Sequence, residues 1–125
     1  MSTFTRGNTD IAVDVEGAGR QHRARAGGMV IALERWQAGL DTAEWFADLP
    51  DGACQEPHWG YCLSGAVTMR YTDGTADTIR AGDAYYIHPG HNAHVDEDVE
   101  LVEFTLADTA PGINTVEPAG SRATA

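Results

Sequence analysis

One short stretch, Cys54-Gln-Glu56-Pro-His58, sets a thiol, a carboxyl and an imidazole at every second residue. Successive side chains of an extended strand point to opposite faces, so these three share a face if the segment is extended. Two more imidazoles, His91 and His94, lie downstream on either side of Asn92-Ala93. A cation drawing on Cys54, Glu56, His58 and either His91 or His94 would find a mixed sulfur, oxygen and nitrogen donor set. Such a set suits zinc or another borderline transition metal (iron, manganese, nickel and copper stay open), and vacant coordination positions would take water or a substrate oxygen. Each residue also has a plainer reading. His58 reads equally as a hydrogen-bonded interior histidine, Cys54 as a small core filler, Glu56 as a loop carboxylate, and His94 as a solvent-facing side chain above Asp96-Glu97-Asp98.

Other polar and aromatic residues carry weaker signals. Tyr85 and Tyr86 are adjacent, so only one can face an interior; either would donate to a ligand, although a tyrosine in a barrel wall is more often packing. Trp36, Trp45 and Trp59 read as core or cavity-lining rings. His88 is expected to face outward, and His22, among Arg20, Arg23 and Arg25, reads as a surface residue of an arginine-rich loop. The run Asp96 to Glu100 has no calcium-loop spacing and reads as a solvated turn.

Charge narrows the partners. Nineteen Asp and Glu residues face eight basic ones, all Arg, for a net charge of −11 over 125 residues. Such a chain repels phosphate backbones and anionic membranes, so neither nucleic acid nor a membrane is an expected partner. Without lysine there is no Schiff-base chemistry and no phosphate-loop lysine. No apolar run approaches the roughly 20 residues that span a bilayer, and residues 1–6 lack the apolar core of a secretory signal. Two cysteines, Cys54 and Cys62, make no disulfide framework; reduced thiols are the simpler reading, and cytoplasmic is the default location.

The elements that would position these residues read as strands. Residues 11–15 alternate, 29–36 are apolar with β-branched members, and the glycines 17, 19, 27 and 28 between them suggest a loop or an irregular edge. Residues 41–49 are the best candidate for a helical turn, with Asp41 or Thr42 as cap and Pro50 as stop. Strands follow at 59–64, 66–72, 75–80, 84–87 and 99–106, with Asp73-Gly74 as a hairpin signal. Short strands punctuated this often point to a sandwich or barrel.

Two segments together resemble the cupin superfamily. Gly82-Asp83-Ala-Tyr-Tyr-Ile-His-Pro89-Gly90-His91 is similar to the second cupin motif, and His58-Trp-Gly-Tyr-Cys-Leu-Ser-Gly65 looks like the end of the first. Pro57-His58-Trp59-Gly60-Tyr61, after Cys54 and the Leu49-Pro50-Asp51 approach, is similar to small bacterial single-domain cupins. The resemblance implies an all-β, double-stranded β-helix (jelly-roll) barrel over roughly residues 9–108, between a flexible start at 1–8 and a disordered tail at 109–125. It also implies a metal held by three His and one Glu, yet this sequence departs from that set at every position. His58 stands where the family has its Glu, residues 52–56 replace the His-x-His pair, and Ala93 takes the last ligand position, flanked by His91 and His94. The leading expectation is a metal-assisted enzyme or binder for a small molecule, with His58 and His91 central. Oxygenase, isomerase, cyclase and lyase chemistry all stay open. The rivals are a metal-free sensory or ligand-binding cupin and a structural dimerisation module; a homodimer is expected in any case.

Overall fold

A computed structural model of the chain describes residues 3–107, so the tail expected at 109–125 lies outside the described residues. Strands β1 (Asp10–Val15), β2 (Gly19–Ala26) and β3 (Met29–Trp36) form a meander. A long connection holding a 3-10 turn at Pro50–Gly52 leads to β4 (His58–Tyr71), β5 (Ala76–Arg80), β6 (Ala84–Ile87) and β7 (His91–Leu106). All pairings are antiparallel, in the order β1-β2-β3-β7-β4-β5. β6 shares the free edge of β4 with β5, pairing with residues 58–61 while β5 pairs with 66–70. Side chains of β1, β2, β3, β4, β6 and β7 all line one interior cavity, so the sheet curls into a jelly-roll barrel. Among the described residues no helix is long and apolar enough to cross a membrane.

Several local readings of the sequence need correction. Residues 19–26 are not a loop but strand β2, paired along its whole length with β3. The flanking glycines that suggested a loop are the turns at its two ends; the strand itself, Gly-Arg-Gln-His-Arg-Ala-Arg-Ala, has no apolar face to announce it. His22 accordingly sits on this strand, only 6% exposed. The helical turn expected at 41–49 is a single turn, with the Trp45 and Phe46 amides both donating to the Thr42 carbonyl and tight turns following it. Asp41 Oδ1 caps it by accepting from the Ala43 amide. Pro50 opens the 3-10 turn instead of ending a helix, in keeping with its preset φ. The acidic run 96–100 belongs to β7, although Asp96, Glu97 and Asp98 are exposed.

One correction matters most for the site. Residues 59–64 and 66–72 are one strand, interrupted by a bulge and not by a turn. Its register against β7 slips between Cys62 and Val67. Cys62 and Val67 are both fully buried although five residues apart, an odd spacing that a regular strand forbids. The register slips flip the alternation along β4, so His58 and Cys62 point inward before them and Val67, Met69 and Tyr71 after them. Gly65 makes this geometry, at φ +80, where an added Cβ would strike the Asp98 carbonyl and lie 2.8 Å from Val99 Cα.

β4 and its neighbours also carry an apolar outer face. Ile31, Phe104, Trp59 and Tyr86 lie in register across β3, β7, β4 and β6, with Leu33, Val102 and Tyr61 in the next row. Trp59, Tyr61, Leu63, Tyr86 and Leu106 are between 39% and 52% exposed. Trp59, read as an interior ring, is therefore outside, packed on Tyr86 with centroids 5.3 Å apart.

Gly65→Ala should cost about 3 kcal/mol or more, combining the left-handed strain with displacement of the β7 backbone. Gly82→Ala should cost only about 1–2 kcal/mol, because Gly82 has φ +92 with nothing within 4 Å of the new Cβ. Denaturant unfolding of both variants checks the contrast; equal losses would mean that the bulge does not fix the register.

Candidate functional site

The site is assembled by backbone pairing before any side chain acts. Cys54, in the connection before β4, bridges to His91 at the start of β7. The Cys54 amide donates to the His91 carbonyl at 2.9 Å, and the His91 amide returns to the Cys54 carbonyl at 3.1 Å. The alternation anticipated for Cys54, Glu56 and His58 holds: all three line the cavity, while Gln55 and Trp59 are exposed. One ligand atom each from Cys54, His58 and His91 lies within 4.8 Å of the other two.

Hydrogen bonds on the far side of each ring aim these donors. His91 Nδ1 lies 2.8 Å from the His88 carbonyl, to which it donates, leaving the Nε2 lone pair free to ligate. His58 Nδ1 is 2.7 Å from Thr105 Oγ1, and Nε2 lies 3.6 Å from Cys54 Sγ. Zinc–sulfur and zinc–nitrogen bonds of about 2.3 and 2.0–2.1 Å at a tetrahedral angle separate S and N by about 3.6 Å. The Cys54–His58 spacing therefore fits such a cation, and outer hydrogen bonds of this kind are what orient metal-binding histidines. Two imidazoles and a thiol are also a fitting donor set for a borderline metal.

The surrounding charge pattern is that of a buried polar interior. Burial lowers His58 and His91 to about 4, so both rings are neutral at pH 7. Burial likewise raises the Cys54 thiol to about 12 and the Glu56 carboxyl to about 7, the latter partly offset by Arg23. Glu56 is 3% exposed and its Oε1 has no hydrogen-bond partner. It shares the cavity with Cys54, His58 and His91 but is not one of the three mutually close donors.

Two cavity carboxyls escaped the sequence reading. Glu34 on β3 and Glu103 on β7 sit diagonally across a strand pair, Glu34 opposite Leu101 and Glu103 opposite Ala32. Desolvation, then the charge of Glu103, raises Glu34 to about 8, and desolvation raises Glu103 to about 7. Trp36 Nε1 and Gln21 Nε2 donate to Glu34 at 2.7 and 2.9 Å, and Tyr85 Oη donates to Glu103 at 3.0 Å. Tyr85 is thus the inward tyrosine and Tyr86 the outward one. Its ring crosses over Gly60, which pairs with both Tyr85 and Glu103; a Cβ there would lie 2.5 Å from Tyr85 Oη. The missed signal was phase: Glu34 alternates with buried Val30 and Ala32, and Glu103 with buried Leu101 and Thr105.

His94 is on the opposite face from His91 and Ala93. Its side chain is 41% exposed and its Nδ1 pairs with Asp96 at 3.0 Å, so the second motif brings one imidazole to the cluster and not two. His88, expected to face outward, is half-buried and stacks on the buried Tyr71, with centroids 3.6 Å apart; it is not among the residues lining the cavity. Trp36 and Trp45 do line the cavity, meeting edge to face at 5.7 Å. Both cysteines are free.

These shifts give the metal-free protein a defined pH dependence. Glu34, Glu56 and Glu103 are raised above their ordinary 4.5, so the stability linked to them is complete below that value and is lost as pH rises through 7 to 8. His58 and His91 are depressed below 6.5, so their part is complete above that value and is lost as pH falls through 4. Between 6.5 and 8 only the carboxyl set acts, and thermal stability should fall across that window. Glu34→Gln should flatten the fall; melting curves at closely spaced pH values check this, and an unchanged slope would remove Glu34 as its source.

No protein-family model matches this sequence, and no curated protein matches it. Solved structures do. Ectoine synthase from P. lautus is similar with a TM-score of 0.63 at 14% identity, over 86% of this chain and 78% of that one. KdgF from a Halomonas species gives 0.60 at 20% identity, over 84% and 94%. An RmlC-like cupin from Shewanella frigidimarina gives 0.59 at 14% identity, over 84% and 89%. At such identities the likeness speaks to architecture alone, and it agrees with the Gly82–Gly90 and His58–Gly65 signatures: the chain has the cupin fold.

Proposed function

We propose that this protein binds a divalent transition metal through Cys54, His58 and His91 and uses it to bind or transform a small molecule in the barrel cavity. The observation that supports this is the meeting of three donor atoms, drawn from the connection before β4, from β4 and from β7, within 4.8 Å in the interior. When bound, the metal would supply Lewis acidity and at least one position open to water or a substrate oxygen. His58 and His91 are already neutral and lose no proton to act as ligands. Cys54 must give up its proton, so binding releases one and should weaken steadily as pH falls. Thr105 and the His88 carbonyl hold the two rings in place, and the apolar walls of Val67, Val95 and Leu101 exclude water.

A metal-free ligand-binding role is the alternative. It is favoured by the same 3.6 Å contact, which a Cys54 thiol donating to His58 Nε2 would also produce. Metal analysis separates the two. After supplementation with zinc, manganese, iron, nickel and copper in turn, the wild type should retain about one equivalent of a metal. His58→Ala, His91→Ala and Cys54→Ser should lose it, with affinity falling about 10- to 100-fold or more. His88→Ala and His94→Ala should retain it. Cobalt loading should give a thiolate charge-transfer band that is absent in Cys54→Ser. Sub-stoichiometric metal in the wild type under every condition would favour the metal-free reading; full loading of His58→Ala would dismiss the site.

We also propose that two copies pair through the outer face of β3, β7, β4 and β6. The rows Ile31–Phe104–Trp59–Tyr86 and Leu33–Val102–Tyr61 contain no charged side chain, on a chain of net charge −11. This face is where two such chains can approach with least repulsion, and apolar patches of this kind commonly mark interfaces. Light scattering should give a dimer mass that tightens with added salt, and Trp59→Glu should give a monomer. A wild-type monomer at both low and high salt would end the proposal.

A further inference from the structure

We propose that the small molecule taken by this cavity carries a protonated amine and that Glu56 receives it. The inference rests on the cavity being a small-molecule site, and it names the class of molecule. Three carboxyl side chains, Glu34, Glu56 and Glu103, line the cavity, and Arg23 is the one arginine among the described residues that does so. The three do not play the same part. Glu34 is held by Trp36 and Gln21, and Glu103 by Tyr85, so these carboxyls belong to a hydrogen-bonded wall that is complete without a ligand. Glu56 is different: 3% exposed, it faces the cavity with Oε1 unpartnered, although the Arg23 charge reaches it.

A buried acceptor without a donor is rare, and where one persists it calls for a water, an ion or a ligand. An ammonium group supplies three donors and a charge that stabilises the Glu56 carboxylate. The aromatic side of the cavity suits it as well. Trp36 and Trp45 meet edge to face there, beside Phe46, and indole faces attract cations. A carboxylate ligand would instead add a fourth carboxyl to a cavity that already buries three. The cavity, about 150 Å³, limits the molecule to roughly the bulk of a benzene ring. The metal is not the natural partner of Glu56, because the three mutually close donors do not include it.

The test compares three near-isosteric probes, butylamine, butanol and butyrate, on the zinc-supplemented full chain at pH 7, with affinities from chemical-shift titration. Butylamine should bind about tenfold or more tightly than either of the others. Glu56→Gln should reduce that preference to within about threefold while leaving metal content unchanged. Equal or tighter binding of butyrate or butanol would overturn the inference and leave the small-molecule site standing. A preference for butylamine that survives Glu56→Gln would overturn it too, since an amine coordinating the metal directly behaves that way. Loss of metal in Glu56→Gln would move Glu56 into the metal site and overturn its assignment to the amine. Binding of none of the three, to either metal-loaded or chelator-treated protein, would reject the cavity as a small-molecule site and the inference with it.

Discussion

The two-residue period of the β-strand decides what this barrel holds inside, and every polar group of the cavity is a consequence of it. Along β7 the inward set is His91, Ala93, Val95, Leu101, Glu103 and Thr105, all of one parity. On β3 it is Val30, Ala32, Glu34 and Trp36, and before β4 it is Cys54, Glu56 and His58. A strand offers no means of turning one of these outward without turning all of them, so polar groups stay inside as long as their apolar phase-mates are needed there. β4 escapes the constraint once, at the Gly65 bulge. There the phase resets, so that His58 and Cys62 below it and Val67, Met69 and Tyr71 above it serve the same interior.

Keeping ionisable groups inside has an electrostatic cost that the protein meets by neutralising them. The carboxyls of Glu34, Glu56 and Glu103 are pushed up, the imidazoles of His58 and His91 are pushed down, and the Cys54 thiol is held protonated. Desolvation is the first cause in every case. What results is an interior near neutrality that changes charge readily when a cation arrives. A metal at Cys54, His58 and His91 would stabilise the thiolate, and a positive ligand near Glu56 would stabilise its carboxylate. Both events convert a penalty of folding into binding energy, which is why perturbed groups collect at functional sites.

Much of the fold was legible from the sequence because its signals are local. The Asp73-Gly74 hairpin, the short strand Ala84–Ile87 between Gly82 and Gly90, and the apolar strand Met29–Trp36 each announce themselves within a few residues. β2 was not legible, since Arg and Gln on its inward side and His on its outward side give no hydrophobic alternation. The joining of two apparent strands into β4 was not legible either, because a glycine at positive φ has the same composition whether it makes a turn or a bulge. For the site, parity alone brought Cys54, Glu56 and His58 to one face. His91 was favoured over His94 by its place directly after Pro89-Gly90, and the Cys54–His91 bridge is what fixes the phase of β7 that turns it inward. Glu34 and Glu103 were visible in principle as carboxyls in phase with buried residues, but their meeting depends on a pairing of distant strands.

The same strands join the inner site to the outer face. β4 carries His58 inward and Trp59 and Tyr61 outward; β7 carries Glu103 and Thr105 inward and Val102 and Phe104 outward. At Gly60 the two sides come closest, since the absent side chain lets Tyr85 lean across β4 to Glu103 while its neighbours Trp59 and Tyr61 cover the exterior. Packing against the outer face would therefore restrain the backbone that sets the Thr105–His58 and Tyr85–Glu103 hydrogen bonds. A shift of a few tenths of an ångström in β4 or β7 would change the spacing of the Cys54, His58 and His91 donor atoms in the cavity. The geometry of the interior thus depends on residues that face away from it.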